Sequence, residues 1–590
     1  MPIAPLQKFG LGGLITDQPK ESLDLTYFDD GLNLRSDDGA ISGVYTFDED
    51  DLRLRLFQLA VDGEPYEFDT ETINPVYITQ WTQAGIEYLD VLTVGLNAVD
   101  AGKVYITGGN QDPAVVSLCS TVYNFTYEPL YGFNSFIFNE VAVLNTVTAP
   151  PMYSFDRENF YQLPNFFGEP IGLDLTAIDV HTVYSISTVT QEDWSSVGGP
   201  LNAVVGSVFT ATSTNADISA LGEVKVMQAY TAKRMCVYNG RLIAMNLAND
   251  LGTPTEIDDI KSPIEVAWST SVTNIGSIID LQWYASFTNT AGNNFLTQTP
   301  GKVVDGKQLG EFLMIYKTDS VYRLQDAGDP LFLVGETAFL DDGILAADCA
   351  VDIGSNQHFV VGQYGLYIHT GGPDKKDIAE DKNISGLYDD LPISVADRAL
   401  TFCFHDSLRS EVWTCYRNKD ASDIEPSKGC TRALIYNYTD GTFYRRSLPN
   451  VSKIIETEIN GVVEIVAASR NVVPGSLTLG GLYILSRDTL EPNGWIQFSS
   501  RDLGMIEVVK EIDGLWPTAQ GNFECKIKGS LSSATPDMSI ITPANFASAT
   551  DYKIDFRQLG RFHTIRIEMS GSVDPVISGM KIDMKQLGER

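Results

Sequence analysis

The sequence predicts an all-β chain: a decorated β-propeller with an inserted small β module and a C-terminal β-sandwich-like domain. Three observations predict it. One hairpin pattern recurs along the chain, it recurs near propeller spacing, and helical periodicity is almost absent. The pattern is a short β-branched and aromatic run, a polar or Gly turn, and a second such run. It places pleat-favouring residues on both sides of residues that tolerate turn geometry. Residues 311–316, the turn 317–320 and residues 321–324 form one copy; 357–361, 362–365 and 366–369 form another. Further copies are 235–238 with 241–244 around Asn239-Gly240, 89–94 with 102–106, 432–436 with 442–444, and 463–466 with 481–484. Tyr322 and Tyr367 stand 45 residues apart, and Phe443 and Tyr483 stand 40 apart, within the roughly 40–50 residues of a propeller blade. Longer spacings, such as Tyr367 to Phe443, require inserted loops. A string of hairpins packed as sandwiches is the competing arrangement.

Taken in order, residues 1–40 read as an N-terminal arm and propeller-closing strand, and 41–171 as the first part of the propeller. Residues 172–226 read as the inserted module, 227–502 as the second part, and 503–590 as the C-terminal β domain. Closure of a ring by an early strand removes an exposed sheet edge. Two Asp-Asp-Gly turns, at 29–31 and 37–39, bracket an expected strand at 32–35. Leu52, Leu54 and Leu56 alternate onto one strand face. Residues 172–226 are rich in Thr, Ser, Val and Ala and poor in long charged side chains.

Composition narrows the function. There are 41 Lys+Arg against 77 Asp+Glu, a net charge of −36. Gripping nucleic acid or anionic lipid calls for a basic patch, and the longest basic runs are the pairs Lys375-Lys376 and Arg445-Arg446. The seven Cys, at 119, 236, 349, 403, 415, 430 and 525, include no CxxC pair. They read as reduced, buried thiols made in a reducing cytosol. The N-terminus lacks a secretory pattern and no run approaches the length of a membrane span.

Motifs for catalysis are sparse. Gly10-Leu-Gly12-Gly13 lacks the context and Lys-Ser/Thr ending of a phosphate loop. Asp48-Glu-Asp-Asp51 lacks calcium-loop spacing. Five His, at 181, 358, 369, 405 and 563, show no HExxH spacing; His358 and His369 fall on one hairpin, as a metal pair or as ordinary sheet positions. Asp341-Asp342 and Asp389-Asp390 could supply the two carboxylates of a glycosidase. The connection 276–301 carries Trp283, Tyr284 and Phe287, expected as an exposed contact loop.

Several stretches, in order, resemble the tail nozzle (tail hub, or packaged-DNA stabilisation) protein of short-tailed bacteriophages. They are Gly12-Gly13-Leu14 with Gly31-Leu-Asn-Leu-Arg35 and Asp38-Gly39; Ala101-Gly-Lys-Val-Tyr105 through Gly108-Gly109; Val143-Leu-Asn145 with Ala149-Pro150; Asn239-Gly-Arg-Leu-Ile243; Val266-Ala-Trp-Ser269; Val303-Val-Asp-Gly306 with Leu309-Gly310 and Ile315-Tyr-Lys317; Glu411-Val-Trp-Thr-Cys-Tyr416; and Ala433-Leu-Ile-Tyr-Asn437. The likeness runs over most of the chain, and the insert 172–226 departs from it. The insert itself resembles a small β module common in phage structural proteins, through Val183-Tyr-Ser-Ile186, Asp193-Trp194 and Val205-Gly-Ser-Val-Phe-Thr-Ala-Thr212.

The resemblance implies a non-enzymatic virion protein without cofactors, made in the bacterial cytoplasm. It implies a hexameric ring below portal and adaptor, forming the distal DNA channel, with tail fibres or spikes as further partners. Duplex DNA carries one negative charge per roughly 1.7 Å of axis, so an acidic wall would keep it centred and sliding. Screening restricts that effect to charges within roughly 8 Å. The turns expected to face the lumen are Asp29, Asp30, Asp341 and Asp342. The alternative from a different class is a propeller glycan-active enzyme or lectin, such as a phage depolymerase.

Overall fold

The computed structural model describes residues 4–6, 10–37, 40–48, 59–61, 64–66, 73–83, 86–95, 104–109, 116–118, 133–145, 150–155, 161–163, 165–179, 183–248, 262–271, 278, 281–283, 290–328, 332–354, 356–384, 386, 390, 395–418, 429–459, 462–469, 482–505, 507–569 and 576–589. The expected strand at 52–56 lies outside them. The chain is all-β, of propeller type. Among the described residues, α-helix is limited to the single turns Ile378–Asp381 and Val395–Arg398 and to Asp390. Two compact units divide it: residues 56–343, and residues 1–55 together with 344–590.

Residues 56–343 are dominated by four-stranded antiparallel meanders, each built from consecutive strands as in a propeller blade. Sheet A comprises Ile73–Gln83, Ile86–Gly95, Val104–Gly109 and Val116–Leu118. Sheet B comprises Asn134–Phe138, Val141–Asn145, Met152–Ser154 and Tyr161–Gln162. Sheet C comprises Thr231–Tyr238, Arg241–Ala248, Ser262–Trp268 and Gly292–Phe295. Sheet D comprises Val303–Leu309, Phe312–Lys317, Val321–Gly328 and Phe332–Phe339.

Sheet C shows why the sequence reads as continuous apolar runs. In Arg241–Ala248, Leu242 and Ala244 pack into a cluster with Val141 and Val143 of sheet B. Ile243 and Met245 pack into a second cluster with Leu313 and Ile315 of sheet D. Alternate side chains point to opposite faces, and here both faces are covered, so polar alternation disappears. The turn before this strand uses Asn239 and Gly240 at φ 47° and 68°. That is the doubly left-handed geometry that matches the twist of a two-residue hairpin.

The module is a separate four-stranded sheet in the order Phe167–Leu175, Gly222–Ala229, Val183–Val189, Val208–Thr210. It carries its own core, with Trp194, Tyr184, Ile186, Phe209 and Val224 among its members. The Asp193-Trp194 pair works locally: Asp193 Oδ1 accepts from Ser195 N at 2.9 Å, and the Trp194 ring is fully buried.

The second unit begins with another meander, sheet E: Ala350–Asp352, His358–Val361, Leu366–His369 and Lys375–Asp377. Sheet F has seven strands: Phe402–Asp406, Glu411–Tyr416, Cys430–Asn437, Thr442–Ile459, Val462–Ser469, Leu482–Leu490 and, last, Tyr45–Asp48. The 18-residue strand Thr442–Ile459 serves two meanders in succession. Its first half pairs with Cys430–Asn437 and its second half with Val462–Ser469. The early strand that completes this sheet is Tyr45–Asp48, antiparallel to Leu482–Leu490, a few residues past the arm expected at 1–40.

Two further sheets hold the chain ends. Sheet G orders Asp30–Leu32, Trp495–Arg501, Phe562–Met569, Asn522–Ser530 and Ala544–Ala547. Sheet H orders Ile554–Gly560, Val508–Gln520, Val576–Glu589, Ala40–Gly43 and Leu34–Asp37, with Ala4–Leu6 on Val576–Glu589. The C-terminal β domain is therefore completed by strands from the other end of the chain. The strand expected at 32–35 is two strands in different sheets. Asn33, at φ 60°, turns the chain between them. Its N–H donates to Arg445 O at 2.9 Å and its Oδ1 accepts from Ser447 N at 2.8 Å.

Candidate functional site

The acidic turns divide by burial. Asp29 is a correction to the expected channel-facing role, because it is a buried pin. Its Oδ1 accepts from Ser499 N at 2.6 Å and from Arg501 Nη2 at 2.9 Å. Arg501 also donates to Lys20 O at 2.6 Å and Tyr27 O at 2.9 Å, so the pair ties residues 20–29 to sheet G. Burial lowers the Arg501 pKa, and Asp29 opposes that most strongly among its neighbours. Asp342 is corrected likewise: it is buried and its Oδ1 accepts from Gly343 N at 2.9 Å. Asp30 is half-exposed, 3.7 Å from Arg445; partial burial raises its carboxyl pKa, and the guanidinium offsets part of that rise. Asp341 is exposed.

Among the described residues eight acidic and seven basic side chains are buried. Burial therefore cancels almost evenly, and the acidic excess of the described residues stays outside the core.

The expected contact loop is corrected at Trp283. Its ring lies 4.6 Å from Phe166, inside the cluster shared by sheets B and C, and it is only 6 % exposed. An aromatic at the edge of a long connection here fills core. Tyr284 and Phe287 lie outside the described residues.

His358 and His369 stand directly opposite each other in sheet E, with ring centroids 5.7 Å apart, both buried. Burial, reinforced by His358, lowers His369 to about 3. Its Nδ1 accepts from Gly371 N at 3.1 Å. Among the described residues no group of three His, Cys, Asp or Glu is placed to hold a metal ion. His181 and Asp389 lie outside the described residues. Asp390 is 3.2 Å from Arg445 and accepts from Tyr416 Oη at 3.5 Å.

Sequence reasoning missed a buried polar network in sheet F. Tyr444 Oη donates to Glu411 Oε1 at 2.6 Å and Trp413 Nε1 to Oε2 at 3.0 Å. The Arg446 guanidinium lies 4.5 Å from the Trp413 ring centroid and 4.9 Å from that of Phe47, and it donates to Tyr45 O at 2.8 Å. Burial raises Glu411 and Tyr444 and lowers Arg446. A carboxylate beside a phenol could serve a nucleophilic reaction, but both are sealed from solvent. The network fastens Tyr45–Asp48 to its sheet. In the sequence Arg445-Arg446 stood out only as one of the longest basic runs.

A cleft of about 300 Å³ opens in the same unit. Its walls include Gln18, Tyr27, Asp381, Lys382, Asn383 and Asp440. Thr16 N and Asp17 N both donate to Asn383 O, at 2.9 and 3.2 Å, fixing one side. Lys382 lies over the left-handed Gly441, where a Cβ would stand 2.7 Å from its Nζ. The cleft brings together two carboxylates, one ammonium and two aromatic residues, Tyr27 and Phe443, groups able to hold a small polar solute.

No protein-family model matches the chain, and no curated protein matches it. Among solved structures it has a likeness to PorZ, an essential bacterial surface component of the type-IX secretion system of Porphyromonas gingivalis. That likeness has 9% identity and a TM-score of 0.31, and covers 72% of this chain and 44% of PorZ, so the chain spans less than half of that protein. An exo-β-1,3-galactanase from Phanerochaete chrysosporium has 7% identity and a TM-score of 0.21, covering 87% of this chain and all of that one. Trypanosoma rangeli sialidase has 8% identity and a TM-score of 0.26, covering 91% and 96%. None of the three is a phage tail protein, and at these scores they assign neither a family nor an activity.

Proposed function

We propose that the chain is a structural, non-enzymatic subunit of a short-tailed phage tail: a nozzle protein that assembles with its own copies beneath the adaptor and lines the path of duplex DNA. The observation that carries this reading is the acidic excess that the described residues leave outside the core. It suits a wall past which a polyanion must slide without being held, since basic contacts would displace counterions and grip. The stretches that resemble the nozzle family fall on blade parts: the Asn239-Gly240 turn, the strand Ser262–Trp268, and the paired strands Glu411–Tyr416 and Cys430–Asn437. With Asp29 and Asp342 buried, the wall would draw on Asp30, Asp341 and other exposed acids. Antibody labelling of intact and DNA-emptied particles tests the reading. Fixed-copy labelling at the tail tip is expected, and absence from purified virions overturns it.

The glycan-active reading has one observation in its favour, the cleft that brings Asp381 and Asp440 together. Incubation with host surface polysaccharide and assay of new reducing ends separates the two. Release that is lost in Asp381→Asn and Asp440→Asn would favour the enzyme; no release is expected.

A further inference from the structure

We propose that Cys349 and Cys403 form a redox site, a buried dithiol that closes to a disulfide when the chain meets an oxidising medium. The two residues lie 54 positions apart and belong to different sheets. Cys349 immediately precedes the first strand of sheet E, and Cys403 lies on the first strand of sheet F. Their backbones run side by side. Cys403 N donates to Asp348 O at 2.8 Å, Cys349 Sγ points to Thr401 O at 3.2 Å, and Cys403 Sγ lies 3.6 Å from Cys349 O. Each sulfur is thus aimed at the backbone of the other residue's segment. A disulfide spans Cα atoms roughly 4.4–6.8 Å apart, and the hydrogen bond from Cys403 N to Asp348 O holds the two segments in direct backbone contact.

The other described thiols of sheet F are poor partners for Cys403. In the ladder Cys403 stands opposite Thr414, while Cys415 stands opposite Phe402. Successive residues alternate faces, so Cys403 and Cys415 point to opposite sides of the sheet. Cys430 is turned away, with its Sγ donating to Leu400 O at 3.3 Å.

The chemistry is thiol–disulfide exchange with an external disulfide such as oxidised glutathione. One cysteine loses its proton and attacks a glutathione sulfur, forming a mixed disulfide and releasing one glutathione thiolate. The second cysteine, on deprotonation, attacks the mixed disulfide at the protein sulfur and releases the second glutathione. Two protons and two electrons pass to glutathione, which leaves as two thiols. Both cysteines are buried, at 0 % and 7 % exposure, so the reaction waits on local opening. A chain made in a reducing cytosol would gain this link between sheets E and F only after release. The inference stands whether or not the tail assignment does.

The test uses the full chain, purified reduced, incubated with oxidised glutathione with and without sub-denaturing urea, then alkylated and mapped by mass spectrometry. The expected result is a loss of two hydrogens, a cross-linked peptide pair containing Cys349 and Cys403, reversal by dithiothreitol, faster closure in urea, and a higher Tm for the oxidised form. Cys349→Ala and Cys403→Ala should each abolish the cross-link; if either variant fails to fold, the wild-type peptide map decides alone. Two alkylated cysteines at 349 and 403 under both conditions overturn the proposal. So does a stable glutathione adduct on either residue, or a cross-link that joins another pair.

Discussion

Residues 56–343 and the unit made from both chain ends bury their sheets by different means. In sheets A to D each strand pairs with its neighbours in sequence, and tight turns such as Asn239-Gly240 set the register where the connection is short. In the other unit Ala4–Leu6 lies on Val576–Glu589, Asp30–Leu32 on Trp495–Arg501, and Tyr45–Asp48 on Leu482–Leu490. No turn can set those registers. Buried polar groups stand at the joins instead: Asp29 with Arg501 at one, and Arg446 with the Tyr45 carbonyl at another. The contrast teaches that two of these three long-range pairings are marked by buried hydrogen-bonded cations, where the tight hairpins of the other unit rely on their turns. Buried ions are a costly way to gain stability but can specify one arrangement.

The strongest way to break the contrast is Asp29→Ala. It leaves Arg501 buried without its carboxylate, a loss of about 3–5 kcal/mol for the unit that contains it. Hydrogen exchange should show protection falling in residues 20–28 and 495–501, with sheets C and D unchanged. Unaltered protection in both segments would mean that the ion pair specifies nothing.

The same contrast explains what was legible in the sequence. The hairpins at 311–324 and 357–369 were readable because β-branched runs flank a turn, and the structure pairs Tyr316 with Val321 and Val361 with Leu366. The module was readable because its composition changes. The split at Asn33 was not, because its cause is a hydrogen bond to Ser447, more than four hundred residues away. Asp29 and Asp342 were expected to face a channel, and Trp283 to stand on an exposed contact loop. Burial depends on which distant strand covers a residue, and a linear pattern does not carry that. For the candidate site, only its residue types were visible; that residues 381–383, 440–443 and the arm meet at one cleft was not.

Acid should strike the composite unit. Burial lowers His369 to about 3 and His563 to about 4, against about 6.5 in an unfolded chain. As pH falls below 6.5 the unfolded chain takes up these protons first. Stability is therefore lost from about pH 6.5 down to about 4 for His563 and 3 for His369. At pH 5 the loss is about 2 kcal/mol per histidine. Exchange-derived opening free energies of sheets E and G between pH 7 and 5 measure it, and His563→Gln should flatten the sheet G response.

Alkali should act on residues 56–343, and in the opposite sense. Lys317 is buried in sheet D, its Nζ donating to Leu296 O at 2.9 Å and to Thr299 Oγ1 at 2.9 Å. Burial lowers it from 10.5 to about 8. Between about pH 8 and 10.5 the folded chain has released this proton while the unfolded chain keeps it, so stability rises with pH. The gain is about 1.4 kcal/mol by pH 9. Denaturation followed by exchange in sheet D should show the rise, and Lys317→Met should remove it.

The smallest effect is expected from excising the module, which sits in the locally paired unit but is not a meander. Its two boundary strands, Phe167–Leu175 and Gly222–Ala229, already pair with each other, with Leu175 opposite Val224. Replacing residues 176–221 by an Asn-Gly turn leaves a hairpin between sheets B and C in the chain. Loop closure changes by only about 0.6 kcal/mol per doubling of length, and shortening favours the folded state. The packing lost is the module's own cluster around Trp194 and Phe209, which shares no member with the clusters of sheets B, C and D. Opening free energies in those three sheets should therefore shift by less than about 1 kcal/mol, the scale of sites that share no partners. A larger loss, spread over sheets B and C, would mean that the module helps to hold its neighbours, and that adjacent meanders in this unit are less self-sufficient than their consecutive pairing implies.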